Sequence, residues 1–318
     1  MGIRMMRLIE ILFPVFGLLF LGGFLRQIDF VDQKMETSLN RFCYFIALPM
    51  FIVHRVATAP FLDAQTLETG IGIQVVSISL WTLAMFTAPL FGVSARSRGT
   101  FSQTCFRGNL AYVGLPVLAY ALTDQSIEEQ NLTSAEAVLA MGGVVFLYNI
   151  LGVLSLEWDR RHEKGGNPWF RCILSSMQNP LLIACFVGLV WNISELPMPQ
   201  PLSRMASPVG ATAFPLALIA IGARIRGLKL HDFGLPILGA ALLKNAASVG
   251  LGVLVAHLLG IEGNSRLILL VLCATPTAVA TYVLVDQLDG DRSLAASAIA
   301  ISTVASVFSL SAALALGL

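Results

Sequence analysis

The stretch "RGNLAYVGLPVL", residues 107–118, places an arginine, an asparagine, two glycines and a proline inside an otherwise apolar run. Glycine loosens a helix, and proline removes a backbone donor and obstructs the preceding turn. The pattern therefore predicts a helix break that includes Gly108, Gly114 and Pro116. The surrounding sequence decides whether that break lies in water or in lipid.

The composition favours lipid as the main solvent. Hydrophobic residues make up 56% of the 318 residues and charged residues only 12%, whereas soluble domains carry roughly 25% charged residues. The mean hydropathy is +0.77. The net charge of +1 gives no basic face for nucleic acid, so we expect no nucleic-acid partner.

The sequence offers no sign of an enzyme, a metal site or a cofactor site. Four of the five cysteines fall within apolar segments, where cysteine behaves as a small hydrophobe. The four histidines are scattered, and there is no HExxH, no P-loop and no nucleophile-elbow motif paired with a histidine. We therefore expect no cofactor and no metal.

About ten segments are long and apolar enough to span a bilayer, which takes roughly 20 residues. They cover about residues 8–25, 37–57, 68–94, 100–122, 134–158, 177–193, 202–225, 232–259, 266–288 and 293–316. The apolar runs are too long for strands and do not alternate. The polar run "DRRHEKGGNPWFR" follows the fifth segment. We therefore divide the chain into a first half, 1–158, a linker, 159–175, and a second half, 176–318.

The two halves resemble each other. "ALPMFIV" at 47–53 in the second segment resembles "AFPLALI" at 213–219 in the seventh, and the fourth and ninth segments each carry an internal proline. Because each half has an odd number of spans, the second half enters from the opposite side. The sequence thus predicts an all-α membrane protein of two inverted five-helix repeats, a plan typical of secondary transporters.

Lysine and arginine predict the orientation, because cytoplasmic loops are enriched in both. The alternate loops that hold Arg26, Lys34, Arg96 and the linker are richer than the set that includes the N-terminus. We expect a multi-pass protein of the cell (inner) membrane with both termini on the non-cytoplasmic side.

The fourth and ninth segments predict the binding site. Gly108 and Asn109 in one are matched by Thr275, Pro276 and Thr277 in the other. A broken helix leaves free N–H groups with partial positive charge, which attract an anion. Asn109 and the helix end near Thr277 are thus predicted to bind a carboxylate. The alternative is a harmless proline kink with glycines used for packing, both common in membrane helices.

Three further polar residues in the apolar segments are candidates for substrate binding. Lys244 lies near the middle of the eighth segment, where an ionisable residue is costly and often functional. It could pair with a substrate, cancel helix dipoles or carry a proton; alternatively it hydrogen-bonds carbonyls within the bundle. Tyr148 and Asn149 in the fifth segment would line the same cavity, or Asn149 would bridge two helices.

Four stretches, "RGNLAYVGLPVL", "NPLLIACFVGLV", "AFPLALIAIGA" and "ATPTAVATYVLVDQL", are similar to motifs of the auxin efflux carrier family. That family includes plant PIN carriers and bacterial organic-acid permeases. The resemblance implies ten helices in two inverted repeats, a scaffold of helices one, two, six and seven, and a substrate site where helices four and nine cross. It also implies a homodimer through the scaffold.

The sequence departs from the plant members in two ways. Gly108 stands where they carry a proline before the asparagine, and only a short linker replaces their long cytoplasmic loop. Both departures favour a bacterial-type permease. We therefore expect a secondary transporter of a small organic anion, a carboxylate, working by elevator-like alternating access in the lipid bilayer. The alternatives are a sodium-coupled carrier of the bile-acid symporter type and a membrane receptor or sensor.

Overall fold

The computed structural model describes residues 2–58, 64–159, 180–227 and 234–317. The linker predicted at 159–175 lies outside these residues, apart from Asp159. Within the described ranges the regular structure is helical, without strands. The predicted all-α class is therefore confirmed.

The first half begins with a long helix and ends with a longer one. Helix α1 (Gly2–Gln27) is followed by α2, residues 33–57, in which a π-turn (Cys43–Ala47) joins Gln33–Phe42 to Leu48–Ala57. Helix α3 (Ala64–Thr87) ends in a 3-10 turn (Ala88–Phe91), and another 3-10 turn (Ala95–Ser97) precedes α4a (Arg98–Phe106). Helix α4b (Leu110–Ala121) begins with a π-turn (Leu110–Gly114), and α5 (Ile127–Asp159) completes the half.

The second half follows the same order of elements. They are α6 (Pro180–Ile193); α7 (Gln200–Gly227), in which a turn at Thr212 separates Gln200–Ala211 from Ala213–Gly227; α8 (Leu235–Leu259), with a π-turn at Leu243–Ala247; α9a (Gly263–Ala274); α9b (Ala280–Gln287); and α10 (Arg292–Gly317).

Length and apolar composition make this a multi-pass membrane protein. Six helical spans of the described chain are long and apolar enough to cross a bilayer. They are Met6–Gln27, Thr66–Phe91, Ile127–Leu156, Gln200–Gly227, Leu235–Leu259 and Arg292–Gly317. Large side chains project from them into the surroundings, including Phe20, Phe86 and Phe308, each more than three-quarters exposed. Such exposure is stable in lipid and would be unfavourable in water.

The two similar heptapeptides both follow an irregularity in their helix. "ALPMFIV" begins at the end of the π-turn in α2, and "AFPLALI" begins directly after the turn at Thr212 in α7. In each case the proline, Pro49 or Pro215, lies in the first turn of the helix that follows. Proline is tolerated there because the first N–H groups of a helix have no intrahelical acceptor.

Glycines allow α1 and α7 to pack with their backbones in contact. A Cβ built on Gly22 would collide with the backbone of Ile219, and one built on Gly222 would collide with that of Leu19. In the same way, Gly188 of α6 packs against Val53 and Val56 of α2. Small residues at such crossings are the usual basis of close helix association in membranes.

The two broken helices, α4 and α9, pack against helices from both halves of the chain. Both α4a and α9a contact α3, α5, α8 and α10. The polar backbone at each break is thereby buried in protein, as lipid requires.

We expect Gly22→Ala to destabilise the protein by about 1–3 kcal/mol, since the added methyl group would force α1 and α7 apart. Gly17→Ala in the same helix is the matched control, because nothing lies within 4 Å of its Cβ position. Thermal unfolding of the purified variants would measure the difference. Equal Tm values for the two variants would contradict the close crossing.

Candidate functional site

The two broken helices meet backbone to backbone. Gly108 and Thr277 form an antiparallel bridge. The Asn109 N–H donates to the Pro276 carbonyl at 2.8 Å, and the Ala278 N–H donates to the Arg107 carbonyl at 2.8 Å. Each break thus satisfies backbone groups of the other, which would otherwise be unpaired at membrane depth.

Pro276 explains where α9a ends. The residue before a proline is driven from the helical to the extended region, and Thr275 has φ −59° and ψ 147°. Its hydroxyl donates to the Leu272 carbonyl at 2.7 Å and caps the last turn. On the other side, α4a ends at Phe106, and Arg107 is extended with φ −80° and ψ 98°.

Gly108 is needed for its small size. A Cβ at this position would lie 2.6 Å from Thr275 Oγ1 and 3.0 Å from Leu110 Cδ2. The first of these distances is shorter than side-chain packing permits. The glycine therefore allows the two breaks to approach closely enough to hydrogen-bond.

The interruption of the fourth helix lies at residues 107–109, before Gly114 and Pro116. Gly114 ends the π-turn of α4b, and Pro116 lies in the first turn of the α-helix Leu115–Ala121. The Asn109 carbonyl accepts from the N–H groups of Val113 and Gly114, at 3.1 and 3.2 Å. Helical structure therefore continues through Gly114 and Pro116, the two positions that the sequence singled out, and the helix is not broken there.

Both hydrogen-bond donors of Thr277 are occupied within the protein. Its backbone N–H donates to Ser302 Oγ at 2.9 Å. Its hydroxyl donates to the Thr104 carbonyl at 2.7 Å. In this conformation Thr277 holds α9 against α4a and α10 and has no donor left for a substrate.

The Asn109 side chain differs from Thr277 in this respect. It is buried, and its carboxamide makes no hydrogen bond with the described residues. An amide offers two donors and an acceptor. Asn109 therefore retains its full hydrogen-bonding capacity beside the crossover.

Next to the crossover, a cavity of about 690 Å³ separates α2 and α7 from α4, α5 and α9b. Its wall combines three arginines with polar, aromatic and aliphatic side chains. The lining residues are Thr37, Asn40, Arg41, Tyr44, Phe45, Arg107, Tyr112, Asn149, Val153, Arg224, Val279, Ala280, Val283 and Leu284. Of the residues predicted from the sequence, Asn149 lines this cavity.

Arg107 connects the cavity to the crossover. Its guanidinium donates to Asn149 Oδ1 at 3.1 Å and to the Tyr148 carbonyl at 3.4 Å. The Tyr148 ring packs against Phe106 with 5.6 Å between centroids. No carboxylate of the described chain forms an ion pair with Arg107. A guanidinium has five donors, so Arg107 can still bind a carboxylate through two parallel hydrogen bonds.

Arg224 occupies another part of the cavity wall. It lies 3.7 Å from Glu36 Oε1, and its guanidinium carbon is 5.7 Å from the centre of the Tyr282 ring. Arg224 thus links α7 to both α2 and α9b. Its charge is partly compensated by Glu36, unlike that of Arg107.

Lys244 is buried behind the crossover, outside the cavity lining. It is 1% exposed, and Nζ donates to the Cys273 carbonyl at 3.0 Å. Ser248 Oγ donates to the same carbonyl at 2.7 Å. Nζ also lies 3.5 Å from the Cβ position of Gly108. The structure therefore brings Gly108, Asn109, Thr275, Pro276, Thr277 and Lys244 together, with Tyr148 and Asn149 adjacent through Arg107.

Sequence reasoning left out the arginines and tyrosines of the cavity. Arg41 and Tyr44 are three residues apart in α2, whereas Tyr112 and Arg224 lie far from them along the chain, and the four residues form no motif. Arg107 did carry a signal, since it begins the stretch that also holds Gly108 and Asn109.

Comparison with known proteins identifies the family. A family model described as "Membrane transport protein" matches residues 7–314. The chain belongs to this family, which is that of the auxin efflux carriers. A protein of Methanothermobacter thermautotrophicus named "Uncharacterized transporter" is 24% identical over 308 residues, which cover 95% of each chain. The family membership predicted from the four motifs is thereby confirmed, and the protein is a membrane transporter.

We expect Gly108→Ala to impair the transporter's stability by about 1–3 kcal/mol, because the methyl group would meet Thr275 Oγ1. Thr275→Ala removes that oxygen. The double variant should therefore recover part of the loss, with a coupling of at least about 0.5 kcal/mol in a double-mutant cycle of unfolding free energies. Strict additivity of the two changes would contradict the contact.

Proposed function

We propose that this protein is a secondary transporter of a small organic anion of the carboxylate class. The observation that carries the proposal is Arg107, a buried guanidinium that faces the cavity beside the crossover without a carboxylate partner in the described chain. Burying an uncompensated charge is costly, and a bound anion would offset that cost. The comparisons support transport as the function and leave the substrate as our proposal.

The rest of the cavity wall suits an organic body attached to the carboxylate. Val153, Val279, Val283 and Leu284 supply apolar surface, and Tyr44 and Tyr112 supply rings with a polar end. A mostly apolar pocket with a few converging polar groups is typical of small-molecule sites. Asn109 would add hydrogen bonds to the carboxylate when the substrate reaches the crossover.

We further propose that the chain consists of ten helices in two inverted repeats. The packing supports this arrangement, because contacts recur in corresponding pairs. The α1–α7 contact corresponds to α6–α2, α3–α5 corresponds to α8–α10, and α4a–α5 corresponds to α9a–α10. Five helices per half with matched contacts are expected of inverted-topology repeats.

The mechanism we propose is elevator-like alternating access. The scaffold would be α1, α2, α6 and α7, joined by the close glycine crossings. The moving unit would be α3–α5 and α8–α10, which carry the crossover. The cavity lies at the boundary of the two units, where movement would expose it to opposite sides of the membrane. A homodimer through the scaffold is part of the same proposal.

Arg107→Gln and Asn109→Asp test the site. Gln removes the guanidinium charge, and Asp places a negative charge against the anion. Loss of a hydrogen bond to a charged group costs about 1.5–3 kcal/mol, so we expect a tenfold to hundredfold weaker apparent affinity. The measurement is uptake of radiolabelled mono- and dicarboxylates by proteoliposomes, with substrates selected first by thermal shift of the parent.

Arg96→Gln is the matched control for charge, since Arg96 is exposed in the turn before α4a. It should transport like the parent. If Arg107→Gln and Asn109→Asp also retained the parental affinity, the anion would not bind at the crossover.

The proposed orientation can be tested with single cysteines. With both termini on the non-cytoplasmic side, a cysteine at Gln130, near the start of α5, should react with a membrane-impermeant maleimide from outside the cell. A cysteine at Gly165 should react only after the cytoplasmic side is exposed. The reverse pattern would contradict the orientation predicted from lysine and arginine.

A further inference from the structure

The last carbonyl groups of α9a accept hydrogen bonds from side chains of neighbouring helices. Ser248 and Lys244 of α8 both donate to the Cys273 carbonyl. Ser309 of α10 donates to the Ala274 carbonyl at 2.8 Å. The last carbonyls of a helix lack intrahelical partners and carry partial negative charge. Lys244 is the charged member of this set of donors.

The ammonium is held in place within the bundle and does not reach towards the lipid surface. Lys244 lies in the π-turn Leu243–Ala247, near the middle of α8. Such turns redirect side chains and often mark functional positions. Asn245, in the same turn, donates to Ser302 Oγ at 3.1 Å, and that oxygen accepts from the Thr277 N–H. The π-turn is therefore hydrogen-bonded directly to Cys273 on one side of the break in α9, and through Ser302 to Thr277 on the other side.

Two cations lie close to Gly108 at the break in the fourth helix. Arg107 faces the cavity, and Lys244 Nζ lies 3.5 Å from the Cβ position of Gly108. Within the part of the chain that the structure describes, neither forms an ion pair with a carboxylate. Lys244 does not line the cavity. It can therefore act on a ligand only across the backbone of the crossover.

We infer that Lys244 is a resident cation of the crossover. Its ammonium neutralises the carbonyl end of α9a and adds positive potential at Gly108 and Asn109, without touching the transported molecule. Lys244 is thus a positioning residue. The first part of this inference depends only on the geometry of α8 and α9a, while the effect on an anion rests on the proposed function.

Chemical rescue tests the resident cation directly. Lys244→Ala removes three methylene groups and the ammonium, which propylammonium replaces atom for atom. Using full-length protein purified in detergent, without any carboxylate, we expect the variant to lose on the order of 5 °C in Tm. Propylammonium chloride should restore much of this loss in a saturable manner. The neutral analogue 1-propanol should not, because it fills the same volume without charge.

Two controls separate this effect from general action of the amine. The parent and Lys34→Ala, which removes an exposed lysine at the start of α2, should not respond to propylammonium. If 1-propanol stabilises Lys244→Ala as well as propylammonium does, or if neither has an effect, the inference that Lys244 is a resident cation is overturned. Recovery of folded Lys244→Ala only when propylammonium is present during purification supports it.

Uptake measurements address the second part. Lys244→Met keeps the volume and removes the charge; we expect it to fold and to lose uptake at least tenfold at subsaturating substrate. Lys244→Ala should regain uptake with propylammonium. Parental uptake by Lys244→Met would overturn the electrostatic role, whether or not Lys244→Ala can be purified. If the parent transports no carboxylate but propylammonium still restores the Tm of Lys244→Ala, the proposed substrate class is wrong. The inference that Lys244 is a resident cation then still holds.

Discussion

The structure depends on one requirement: backbone groups at membrane depth must be hydrogen-bonded within the protein. Two helices are interrupted, and each interruption supplies the partners of the other through Asn109 with Pro276 and Ala278 with Arg107. This exchange works only if the breaks lie at the same depth and run antiparallel. The surrounding helices α3, α5, α8 and α10 then have to shield the crossover from lipid.

Long apolar helices are readily predicted from the sequence because lipid imposes both their length and their composition. The position of Pro276 also predicted a real break, since its ring directly opposes a helical Thr275. Pro116 gave a misleading signal, because a π-turn ahead of it leaves its missing N–H without consequence. Whether a proline breaks a helix depends on the turn before it, and composition does not reveal that turn.

The cavity could not be predicted, because its charge comes from residues that are far apart in sequence. Arg224 belongs to no sequence motif, yet it lies between Glu36 and Tyr282 in the cavity wall. The helix end near Thr277 was predicted to bind the anion, yet Thr104 and Ser302 accept hydrogen bonds from both donors of Thr277. In each case the decisive fact is a tertiary contact. Arg107 was the cavity residue most nearly predicted, because it lies at the helix break that the sequence of its own segment predicts.

Gly108 is where the packing and the electrostatics of the crossover meet. Its missing side chain lets the chain approach Thr275 closely enough for the backbone exchange, and the same space lies 3.5 Å from the Lys244 ammonium. A larger residue would separate the two breaks and also move the backbone away from that charge. Arg107 precedes the glycine and Asn109 follows it. One small residue therefore sets the distance between the hydrogen-bonded crossover and the cations on either side of it.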